Sequence, residues 1–137
     1  MPYRWLCAYS TEETNHTLAL SALAQQLTRR ALIVFFTDFT DPTGADLMVR
    51  ALGWLILRHV VLFVIMRDTD LAELMNAAPA SAADVSRSVA AAALDNEQRK
   101  VIARLRRLGL DVIVTEPDRM GMQLVEAYVA LKRRGRL

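Results

Sequence analysis

Three short runs constrain this chain more than anything else in it: Leu32–Thr37 (LIVFFT), Val60–Met66 (VVLFVIM) and Asp111–Thr115 (DVIVT). Each is rich in β-branched and aromatic residues and nearly unbroken in apolar character. A strand with one wet face alternates apolar and polar residues, whereas a strand covered on both faces has no need to. The runs therefore predict strands of a parallel sheet with helices on both sides. The segments between them carry helical periods. Leu20, Leu23, Ala24 and Leu27 recur at i, i+3, i+4 and i+7 and predict a helix ending near Arg29–Arg30. Leu47, Ala51, Leu52 and Leu55 form a second stripe, and Met120, Leu124, Tyr128 and Leu131 a fourth. The third helix is longer, from about Asp84 to Leu108, with Gly109 as its left-handed C-terminal cap.

The alternation of helix and strand implies right-handed βαβ crossovers. The expected fold is α/β, a three-layer Rossmann-like parallel sheet with about three strands and four helices. The second crossover is about twice as long as the first. It contains the Pro-interrupted loop Asn76–Ala83 (NAAPASAA) and has room for a short extra helix at Leu71–Met75. A length of 137 residues suits a single domain, 1–137. Sheets of this kind commonly hold about five or six strands, so three strands describe part of a larger one.

Composition removes several function classes. An apolar fraction of 53% with 23% charged residues excludes collagen-like, mucin-like and disordered chains. Seventeen Lys and Arg against fifteen Asp and Glu leave a net charge of +2, too small a surplus to drive nucleic-acid binding. Arginine supplies most of the cations, several at helix ends where they complement the dipole. The tail Lys132–Arg136 is expected to be a solvated helix end. The single Cys7 excludes an internal disulfide and a cysteine-based zinc site. The most apolar stretch, Leu55–Met66, is interrupted by Arg58 and His59 and is too short to span a bilayer. No export signal is visible, so no membrane partner is expected in this segment and the cytoplasm is the expected location.

Ligands of open parallel sheets bind beyond the carboxyl ends of the strands. There this chain places Thr37, Asp38 and Asp41 after the first strand, Arg67, Asp68 and Asp70 after the second, and Glu116 and Asp118 after the third. Carboxylates gathered on one edge suit a hard cation such as Mg²⁺. The structural alternative is helix capping by Asp41 (followed by Pro42), by Asp68 or Asp70, and by Asp118. Asp38 sits at the strand end, not at a helix start, and is the stronger candidate for a metal or polar site. His16 and His59 are too isolated to pair as ligands, and His59 is expected at the start of a strand. Gly44 has no glycine neighbours, so no phosphate-cradling loop is present. Trp5 and Trp54 are expected to pack.

The block RALIVFFTDFTDPTGADLMVRALGWLILRHVVLFVIMRD resembles the C-terminal half of the von Willebrand factor A-like domain in the bacterial domain-of-unknown-function 58 family. The likeness continues through Val112–Pro117 to the ending LVEAYVALKRRGRL and covers about Glu13 to Leu137. The resemblance implies a protein-interaction module, an adaptor or co-chaperone and not an enzyme, working with a MoxR-type AAA+ ATPase. It implies a metal-ion-dependent adhesion site in which Asp38 matches the aspartate after the fourth strand. Thr14 has the approximate spacing of the middle-loop threonine, although His16 and Thr17 replace the usual Thr and Gly. The D-x-S-x-S loop of that site is not in the sequence. In the family it lies upstream with the first three strands and, in many relatives, with membrane helices, so the chain is expected to be the soluble C-terminal portion of such a domain. In the parent fold the Leu32–Thr37 strand is central. Here its open edge implies either a homodimer or swapped assembly through 32–37, or Tyr3–Tyr9 (YRWLCAY) as a substitute strand. The alternative function is a small Mg²⁺-dependent hydrolase or phosphotransfer domain with Asp38 as nucleophile. The lysine such chemistry needs is not near, because Lys100 and Lys132 lie in helical stretches.

Mg²⁺ belongs to the full-length parent of such a site. Without the D-x-S-x-S serines, Asp38 and Thr14 are expected to hold no metal tightly. Calorimetric titration should show no micromolar Mg²⁺ affinity; such an affinity, abolished by Asp38→Ala, would overturn the expectation.

Overall fold

The computed structural model describes residues 16–37 and 42–137. Along the chain run α1 (His16–Gln26), β1 (Leu32–Thr37), α2 (Pro42–Arg58), β2 (Val60–Met66), α3 (Thr69–Asn76), α4 (Ala82–Arg107) and β3 (Asp111–Thr115). A 3₁₀ turn at Pro117–Arg119 then leads into α5 (Met120–Arg133). The three strands have the predicted bounds and form one parallel sheet in the order β1-β2-β3. The fold is α/β, with a three-layer Rossmann-like arrangement.

Strand β2 is the centre of the sheet, and its residues from Val60 to Ile65 are all buried. On one face Ile33, Val61, Phe63 and Ile65 meet Leu20 of α1, Met48, Leu52 and Leu55 of α2, and Ile102 and Leu105 of α4. Phe35 and Phe63, partners in the β1–β2 register, set their rings 5.4 Å apart at a tilt of 54°. On the other face Val60, Leu62, Leu32 and Ile113 meet Leu124, Ala127 and Leu131 of α5. Both crossover helices, α2 and α4, thus lie on one face, as two connections of one hand between consecutive strands must.

Among the described residues β1 pairs only with β2 and is an edge, not the central strand of the parent fold. The Val60 N–H donates to the Ala31 carbonyl at 2.9 Å. Peptide groups alternate sides along a strand, so the backbone groups of Leu32, Val34 and Phe36 point away from β2.

Several expectations are corrected. The short extra helix expected at Leu71–Met75 is present as α3, Thr69–Asn76, and brings the α-helices among the described residues to five; the bounds and faces of the others differ in part. Helix α1 stops at Gln26, before Arg29–Arg30, and only the Leu27 N–H continues the pattern, to the Leu23 carbonyl at 3.1 Å. On α2 the inward residue is Met48 and not Leu47, which is 56% exposed. On α5 Ala127 takes the inward place assigned to Tyr128, whose ring lies under the Lys132 ammonium at 5.6 Å.

Gly109 is the predicted left-handed cap, with φ of 79°. The Leu110 N–H returns to the Leu105 carbonyl at 3.2 Å and the Gly109 N–H to the Arg106 carbonyl at 3.0 Å. This is a Schellman closure, completed by apolar contact between buried Leu105 and Leu110. Gly135 closes α5 in the same way, with φ of 66°. A methyl group at Gly109 would meet nothing within 4 Å, so only the backbone resists it. Gly109→Ala should cost about 1 kcal/mol, whereas Gly53→Ala, inside α2 and also in open space, should stabilise by about 0.5–1 kcal/mol. Urea denaturation of the two variants checks the opposite signs.

Candidate functional site

The carboxyl edge of the sheet is where chemistry was expected. The Arg67 N–H donates to the Thr115 carbonyl at 2.8 Å, carrying the β2–β3 pairing one step past the strands. Thr37 and Thr115 are buried at the strand ends, and the Thr115 hydroxyl donates to the Glu116 carbonyl at 3.1 Å. Asp38, Asp41 and Thr14 lie outside the described residues, as do Cys7, Trp5 and Tyr3–Tyr9. Among the described residues no three His, Cys, Asp or Glu side chains gather as a metal-binding group.

The carboxylates that can be placed do separate things. Asp68 is the N-cap of α3, its Oδ1 accepting the Leu71 N–H at 3.1 Å. Asp70 is exposed in the first turn of that helix, where it complements the dipole. Asp118 does not cap α5, contrary to expectation. The chain passes from the 3₁₀ turn directly into the helix, and Arg119 at the cap position has φ −101° and ψ −9°. A side-chain cap needs an extended residue there. Glu116 precedes the turn, also without a side-chain cap bond.

Above this edge α3 and α4 pack against each other. Helix α4 begins with a capping box: the Ser81 hydroxyl accepts the Asp84 N–H at 3.2 Å and donates to Asp84 Oδ2 at 2.7 Å. That hydroxyl is the main reason the Asp84 carboxyl titrates below the ordinary aspartate range, with backbone N–H groups and Arg87 adding to it. The walls between α3, α4 and the strand ends enclose a cleft of about 800 Å³. Arg67, Arg99 and Arg106 line it, together with Asp68 and Asp95.

His59 stands immediately before β2, 7% exposed, and its Nδ1 accepts the Ala31 N–H at 3.3 Å. It joins the starts of two strands, the structural role expected of it. Trp54 does not pack. It is 80% exposed, and Leu57 on the same helix is 86% exposed. The basic tail is not simply solvated, because Arg136 reaches Asp111 at the start of β3 at 2.5 Å and Arg134 lies 3.9 Å from the same carboxylate. Arg104, in the last turn of α4, pairs with Asp46 of α2.

No family model, curated protein or solved structure matches the chain. No helix among the described residues is long and apolar enough to cross a membrane.

Two surface features escaped the sequence. One is the outward stripe of α2. A helix whose residues are apolar all round its circumference signals a second covered face, and α2 is one over Leu47–Leu57 except for Arg50 and Gly53. The other is the arginine-lined cleft: Arg99 and Arg106 lie two turns apart on α4, but Arg67 follows β2 and no spacing links it to them.

The depressed Asp84 carboxyl contributes stability that is fully present above its unfolded pKa and is lost as pH falls through the lower folded value. Ser81→Ala should return that pKa toward the ordinary aspartate value, read from the carboxyl carbon in an NMR pH titration. An unchanged midpoint would show that the hydroxyl is not the cause.

Proposed function

We propose that this chain is a protein-interaction module of the adaptor or co-chaperone type, acting in the cytoplasm with a MoxR-type AAA+ ATPase. The observation that carries the reading is the outer face of α2, where Trp54, Leu57 and Leu47 stand in water while Met48, Leu52 and Leu55 fill the core. Apolar surface returned to a dry environment gains about 25 cal/mol per Å², and tryptophan is among the residues most enriched at binding hot spots. Three large side chains held in solvent on a rigid helix suit a partner that covers them.

The ATPase as partner rests on the sequence resemblance of the 30–68 block and of the C-terminal ending. The same resemblance supports metal-assisted docking, in which a partner carboxylate completes a cation site at Asp38 and Thr14. The outward backbone groups of Leu32, Val34 and Phe36 support a homodimer through β1 as an accompanying assembly.

The test is a pull-down of the purified ATPase by the chain, with and without Mg²⁺, repeated with Trp54→Glu/Leu57→Glu. The double variant should keep its circular dichroism and denaturation midpoint and lose at least about tenfold in affinity, the scale of a hot-spot pair. Unchanged capture would overturn the α2 face as the docking surface. No capture by the wild type in either buffer would overturn the ATPase as partner.

A further inference from the structure

The cleft lined by α3, α4, Arg67 and Val114, about 800 Å³, exceeds the two pockets beside α5, and its charges are unevenly used. Its acidic residues are already engaged. Asp95 pairs with Arg99 at 2.7 Å, and Asp68 accepts the Leu71 N–H as the cap of α3. Among the described residues the guanidinium groups of Arg67 and Arg106 make no ion pair or hydrogen bond, yet both line the cavity. They come from different elements. Arg67 follows β2, with its backbone pinned to Thr115, and Arg106 is in the last turn of α4. Leu71, Met75, Ile102 and Val114 provide its apolar wall.

We infer that this cleft binds a small organic anion, with phosphate or carboxylate groups met by Arg67 and by Arg106 and an apolar portion laid against Ile102, Val114 and Leu71. Three physical points support this, none of them depending on the proposed ATPase partner. A guanidinium presents a planar fork of donors that matches two oxygens of a carboxylate or phosphate, and arginine is weakly hydrated enough to be drawn from water into such a pair. The volume falls within the range of small-molecule sites, roughly 300–1,000 Å³, and the mixture of apolar wall with a few polar groups is their usual lining. One end of the cleft, at Arg67 and Asp68, lies past the carboxyl end of β2, the edge at which open α/β sheets receive ligands. The Asp95–Arg99 pair sets the strength of the site, because it holds a third guanidinium out of use and keeps a carboxylate beside the anion.

Binding is measured by calorimetry at low salt with three probes: inorganic pyrophosphate, citrate and ADP. Pyrophosphate reports the anion contact alone, citrate distinguishes carboxylate from phosphate, and ADP adds a planar body for the apolar wall. At least one probe should bind, weakening as salt rises, and ADP should exceed pyrophosphate if the wall contributes. Arg67→Gln and Arg106→Gln should each lower the affinity at least about tenfold, the scale of one charged hydrogen-bonded contact. Arg87→Gln, on the exposed start of α4, should leave it unchanged. Asp95→Asn should tighten binding by freeing Arg99. No binding of any probe at millimolar concentration would overturn the inference. So would equal losses in the Arg87, Arg67 and Arg106 variants, which would mean general attraction to a cationic surface. Perturbation of the Arg67 and Arg106 Nε–H signals on titration separates contact in the cleft from loss of fold in a variant.

Discussion

Everything in this molecule hangs on β2. From Val60 to Ile65 no residue is more than 2% exposed, so the strand has no wet face and its peptide groups have no water to turn to. A strand in that position must be hydrogen-bonded along both sides and covered above and below. The parallel partners β1 and β3 meet the first demand, and the helices of the two faces meet the second. His59 belongs to the same requirement, because the Ala31 N–H beside the start of the strands finds its acceptor on that imidazole.

The two faces are covered unequally. Three described helices share the face that carries Phe63, while α5 serves the face that carries Leu62. Placing α2 and α4 side by side leaves α2 with one surface in the core and another in solvent, although its sequence is apolar on both. The same arrangement sets α4, whose 26 residues far exceed the length of the strands beneath it, beside α3 at the carboxyl edge. The apolar stripe of α2 and the arginine-lined cleft are therefore products of one topology. One suits a protein surface and the other a small anion, so the two proposals stand or fall separately.

Legibility varied with the range of the interaction involved. The strand bounds were readable because burial on both faces removes polar residues from a continuous run, which a sequence records directly. Gly109 was readable because a left-handed cap is a local backbone demand. Asp118 was misread because its capping depended on the dihedral angles of Arg119, which the preceding 3₁₀ turn sets. Met48 and Leu47 could not be told apart from spacing, since both are apolar and only the rotation of α2 against the sheet decides between them. The metal-site candidates Asp38 and Thr14 rest on the sequence resemblance, and the described residues add no ligand cluster to them.

The sequence by itself determined the three strands, their order along the chain, the alternation that makes the sheet parallel, and Asp68 as a candidate helix cap. These follow from hydrophobic periodicity and from hydrogen bonds within a few residues. Only the tertiary structure decided that Trp54 and Leu57 face water, that the tail arginines return to Asp111, and that Arg67 and Arg106 share a cleft. The reason is physical: each depends on how rigid elements distant in sequence are turned against one another. That relative orientation comes from packing the whole core, and no local stretch of residues carries it.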